Sequence, residues 1–93
     1  MYKIEFKFPA EKFLRKLDKN NQRKIMKKIS FLRQNPFLGK PLGGNLAGLW
    51  RLRIDKYRII YQIKKSELII YVLDVGHRKN VYWLQVNFQS RKH

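Results

Sequence analysis

The sequence predicts an α+β domain, and three observations carry that prediction. An alternating apolar segment opens the chain, two apolar stripes at helical spacing follow, and three strand-like segments fill the second half. The expected order is β-α-α-β-β-β, a four-stranded antiparallel sheet packed on an N-terminal helical hairpin. In residues 2–8, Ile4, Phe6 and Phe8 fall on one face of a first strand. Pro9 suits the first turn of a helix, where its missing N–H costs nothing, and Ala10, Phe13, Leu14 and Leu17 then form one stripe. Residues 18–21 make a turn, with an asparagine expected to cap the second helix. Ile25, Met26, Ile29 and Leu32 recur at helical spacing with Lys and Arg on the other side. Asn35-Pro36 ends that helix.

Residues 37–48, with Gly39, Pro41, Gly43 and Gly44, read as a loop. The Gly43-Gly44 pair lacks the Gly-Lys-Ser/Thr signature of a phosphate loop. Strands are expected over about 49–54, 57–64 and 67–75. The first two alternate, and Asp55-Lys56 is short enough for a two-residue hairpin turn. Residues 68–73 are apolar on both faces, as a central strand would be.

The 93 residues suffice for one domain, 1–93, with 84–93 as a C-terminal tail. A hydrophobic content of 44% supplies a core. The absence of cysteine excludes disulfides and thiol chemistry. His77 and His93 are the only histidines and the acidic residues are scattered, so neither metal nor cofactor is expected. Apolar runs are short and broken by charge, and the N-terminal residues read as strand rather than as a signal peptide. The expectation is a cytoplasmic protein with no membrane partner. Twenty-two Lys and Arg against six Asp and Glu leave +16, a charge suited to polyanions, nucleic acid first. The basic helix faces are either phosphate contacts or ordinary solvated surface.

If Asp55-Lys56 closes a two-residue turn, Arg53 lies opposite Arg58, and Arg51, Arg53 and Arg58 share one sheet face. Trp50, Leu52, Ile54, Tyr57, Ile59 and Tyr61 share the core face. Like charges placed opposite each other are destabilising, so three guanidinium groups together suit a bound anion, phosphate above all. A solvated face on which the arginines spread apart is the alternative. Beyond the last strand, Arg78 adds positive charge and Tyr82 suits base stacking or proton transfer. His77 suits acid–base work, with structural packing as its alternative.

The run from Leu49 to Ile63, with its Tyr57-Arg58-Ile59-Ile60-Tyr61, resembles the RelE/ParE toxin superfamily pattern, and residues 75–82 resemble its C-terminal signature. The resemblance spans nearly the whole chain. It implies the toxin of a type II toxin–antitoxin pair, a RelE-type endoribonuclease that cleaves mRNA in the ribosomal A site without metal. It implies Arg58 as stabiliser of charge on the scissile phosphate, supported by Arg51 and Arg53, where the best-known RelE pattern has lysines. It further implies Arg78 at the leaving group and Tyr82 as base for the ribose 2′-OH, with His77 the competing base. Arg51, Arg53, Lys56, His77 and Lys79 form the expected RNA-binding set. The implied partners are the ribosome, mRNA and an acidic antitoxin protein that would form a hetero-oligomer with the toxin. The competing readings are a ParE-type DNA gyrase inhibitor and a non-catalytic basic nucleic-acid-binding module.

Overall fold

A computed structural model describes residues 1–78. The elements run β1 (Lys3–Phe6), α1 (Phe8–Lys16), α2 (Lys19–Phe31), β2 (Lys40–Pro41), β3 (Leu49–Ile54), β4 (Tyr57–Lys64) and β5 (Ile69–His77). Pro9 lies in the first turn of α1, as its fixed φ favours. The cap of α2 is Asp18 rather than an asparagine. Its carboxylate accepts from the Asn21 amide at 3.3 Å and from Asn21 Nδ2 at 2.7 Å.

The sheet has five strands in the order β1-β5-β4-β3-β2, and it is mixed rather than antiparallel throughout. Two differences from the sequence reading account for this. β1 pairs parallel with β5, Phe6 opposite Val72. The connection from β1 to β5 runs through both helices and the other three strands, long enough for the return that parallel pairing requires, and nothing in residues 2–8 themselves specifies a direction. The fifth strand, β2, lies inside the presumed loop, with Lys40 opposite Arg51 and Pro41 opposite Trp50. A proline-containing pair stays legible as strand only at a sheet edge, where no ladder N–H is missed.

The β3–β4 turn closes in two residues, with Ile54 opposite Tyr57 and Arg53 opposite Arg58. Asp55 takes the left-handed conformation the turn demands, φ 55°, which aspartate tolerates better than most residues. One cluster joins Ala10, Leu14, Ile25, Ile29 and Leu32 of the helical segment to Leu52, Ile54, Tyr57, Ile59, Tyr61, Ile70, Val72 and Val75 of the sheet. A smaller cluster forms on the other sheet face. There Leu49 and Ile60 are covered by Leu42, Leu46 and Leu73.

Two close contacts fix the loop before β3. The Tyr61 hydroxyl donates to the Pro36 carbonyl at 2.8 Å and accepts from the Gly39 amide at 3.0 Å. A Cβ at Gly39 would lie 2.4 Å from the Arg51 carbonyl oxygen, so only glycine fits there without backbone movement. The loop is thereby clamped beside Arg51.

Candidate phosphate-binding face

The register of β3 and β4 puts Arg51, Arg53 and Arg58 on one sheet face. Across β4 and β5, Gly76 lies opposite Arg58 and Asp74 opposite Ile60. A bulge beyond Ile60 then pairs Tyr61 with Val72 and leaves Leu73 unmatched. Such a bulge re-aims the side chains that follow it. Here it sets Asp74 on the arginine face and Val75 in the core.

The three arginines differ in environment. Arg53 is exposed and Arg51 half-buried. Together with Lys40 they line a hollow of about 160 Å³ beside Gly39. Arg58 is only 1% exposed. Its guanidinium donates to the His77 carbonyl oxygen and stands 3.7 Å from Asp74 Oδ2. Burial holds the Arg58 pKa below its ordinary value, Asp74 opposes that shift, and the Arg51 charge adds to it. Asp74 mirrors this. Burial pushes its carboxyl up to about 6, against the pull of Arg58 and of the Val75 amide. Arg58 is thus a buried cation beside the Asp74 carboxylate, with the Arg51 charge near it and Arg53 opposite it across the ladder.

Arg58 and Asp74 also line a cavity of about 410 Å³ between β5 and α1. β1 ends opposite Val72, and α1 packs on β5. The cavity walls include Phe8, Lys12, Phe13 and Lys16 from α1.

The other sequence candidates divide. Lys56 sits in the β3–β4 turn with its Nζ 5.8 Å from the Tyr57 ring, and its carbonyl accepts from the Arg78 amide at 2.8 Å. Arg78 is thus held at the end of β5 and is exposed. His77 pairs with Tyr57, a core-face residue. Its ring meets Phe13 edge-on at 5.7 Å and Tyr57 at 5.2 Å, while the residue itself is exposed. Its carbonyl, rather than its imidazole, reaches Arg58. Tyr82 and Lys79 lie outside the described residues, as does the 84–93 tail. Sequence reasoning missed Asp74, whose one signal is an acidic residue inside the apolar run of β5. Among the described residues, no group of three or more His, Cys, Asp or Glu is placed to hold a metal. Nor is any helix among them long and apolar enough to cross a membrane.

The described residues thus form a small domain with an arginine-lined hairpin face on a mixed sheet. The family model for the ParE toxin of the type II toxin–antitoxin system parDE matches residues 4–82. The toxin RelE4 of Methanocaldococcus jannaschii is 31% identical over 86 residues, 88% of this chain and 92% of that protein. The RelBE2 toxin–antitoxin complex of Mycobacterium tuberculosis superposes with a TM-score of 0.76 at 30% identity, over 83% of this chain and 98% of that one. The isolated Escherichia coli RelE toxin superposes at 0.73 with 25% identity, over 94% and 97%. The chain belongs to the ParE toxin family of type II toxin–antitoxin systems, within the RelE/ParE superfamily.

Proposed function

We propose that this toxin is a ribosome-dependent, metal-independent endoribonuclease that cleaves mRNA in the A site, acting in the cytoplasm. The observation that carries the reading is the placement of Arg53 directly opposite Arg58, with Arg51 on the same face. Such a cluster costs stability in the empty protein and serves a bound phosphate. The relatives named for RelE support the same class.

In the reaction, the ribose 2′-oxygen attacks the adjacent phosphorus and the bond to the 5′-oxygen breaks. The products are a 2′,3′-cyclic phosphate and a 5′-hydroxyl. Arg51, Arg53 and Arg58 stabilise the added negative charge on the phosphate oxygens. Tyr82, as its phenolate, accepts the 2′-OH proton, while Arg78 stabilises the leaving 5′-oxygen, which takes a proton from water to give the 5′-hydroxyl. Lys56 and Lys79 hold flanking phosphates. This set contains no strongly matched acid–base pair, so the ribosome supplies much of the substrate positioning. The test is cleavage of a defined mRNA with and without ribosomes, in EDTA-treated buffer for the free RNA arm. Cuts are expected only with ribosomes; equal cutting of free RNA would contradict the reading.

The partner is an acidic antitoxin segment that orders on binding and forms a hetero-oligomer with the toxin. Charge complementarity to a +16 chain supports this, as does the antitoxin-bound state of the M. tuberculosis relative. One observation favours a second reading, inhibition of DNA gyrase: the matching family model is that of ParE. A supercoiling assay with purified gyrase separates the two, and the nuclease reading expects supercoiling to proceed unhindered.

A further inference from the structure

The cavity between α1 and β5 has a composition that the phosphate-binding face alone does not explain. Its volume, about 410 Å³, exceeds that of a nucleobase. Its floor carries a buried donor and a buried acceptor side by side, Arg58 at 1% exposure and Asp74 at 8%. Gly76 lines the same cavity, and a Cβ there would meet Arg58 Nη1 at 3.7 Å, an ordinary contact. At the mouth, Phe8 is 68% exposed, with Lys12 Nζ 6.0 Å from its ring. Lys16 lies one helical turn further along α1 and lines the same cavity.

An exposed aromatic ring beside lysines at the mouth, with a polar floor within, matches how single-stranded RNA is held. Bases stack on aromatic faces, cations track the backbone, and a few polar groups read base edges. We infer that the α1–β5 cavity is a nucleotide subsite, in which Phe8 stacks the base, Lys12 and Lys16 hold its phosphate, and Asp74 reads the base edge. The inference rests on the nuclease reading for its place beside the scissile phosphate. Asp74 accepts hydrogen bonds when ionised, as it is at neutral pH with its carboxyl at about 6. It therefore favours bases with an exocyclic amino group, namely adenine, cytosine and guanine. Uracil sets a carbonyl on each side of its single N–H, and a carboxylate repels both.

The test is an NMR titration of the full chain with AMP, CMP, GMP, UMP and inorganic phosphate. Amide shifts should concentrate at Val75, Gly76 and the first two turns of α1. The amino-bearing nucleotides should bind roughly fivefold or more tighter than UMP, the effect of one mispaired buried acceptor. Asp74→Asn should erase that discrimination, since a carboxamide both donates and accepts. Phe8→Ala, at an exposed position that folding does not need, should weaken all four nucleotides alike. Shifts confined to Arg51 and Arg53, UMP binding as tightly as GMP, or inorganic phosphate matching the nucleotides would each overturn the subsite. Cleavage is not read in this titration. A chain that binds as described but cuts no mRNA would remove the nuclease reading and keep the subsite, and the reverse result would do the opposite.

Discussion

Among the described residues, Asp74 is a carboxyl whose burial shifts its titration far from the ordinary value. Below its ordinary pKa of 3.8 both the folded and the unfolded chain hold the proton. Between that value and about 6 the unfolded chain releases it while the folded chain keeps it, which favours unfolding progressively. The group's contribution therefore falls as pH rises from about 4 to about 6, by an amount on the order of 3 kcal/mol. Denaturant melts across that window should show the decline, and Asp74→Asn should flatten it. Gly39→Ala makes a second prediction at this scale. With a Cβ 2.4 Å from a backbone oxygen, the loop or β3 must move, at a cost of roughly 2 kcal/mol or more. A thermal melt checks this, and an unchanged midpoint would contradict the close approach. Gly39 was legible only as a loop glycine, because the contact comes from a strand remote in sequence.

At the scale of elements, the β3–β4 hairpin was the most legible part of the molecule. Trp50, Leu52 and Ile54 alternate with Arg51 and Arg53, and a two-residue turn then forces Arg53 opposite Arg58. The burial of Arg58 was not legible, since its partner Asp74 arrives through a bulge in β5 that no local pattern marks. β1 was visible as a strand but not as a parallel one, because its partner β5 lies at the far end of the described chain and no local pattern names it. The length of Lys40–Pro41 hid β2, which follows directly on the loop that Tyr61 clamps. Tyr61→Phe removes both hydrogen bonds of that clamp. We expect a loss of about 1–2 kcal/mol and faster hydrogen exchange at the Gly39 amide. If exchange there stays slow, the clamp lies elsewhere.

For the whole molecule, charge is the governing property. If the proposed function holds, a net +16 on 93 residues makes counterion release a main source of RNA affinity. Affinity for ribosomes should therefore fall steeply and linearly in a log–log plot against salt, with a slope of magnitude about 4 or more. A slope near zero would mean that the basic surface does not touch RNA. Arg53 offers the cleanest separation of function from fold, being exposed. Arg53→Ala should leave stability unchanged or raise it by up to about 1 kcal/mol, as the repulsion from Arg58 is relieved, while lowering cleavage at least tenfold.

RNA cleavage on the ribosome by the arginine face can be read by primer extension on a defined mRNA in a purified translating system, with wild-type protein, Arg53→Ala, Arg58→Lys and Tyr82→Phe. A-site cuts are expected with the wild type, strong loss with either arginine variant, and a loss with Tyr82→Phe. No cuts with folded wild-type protein, or full activity in both arginine variants, would contradict it.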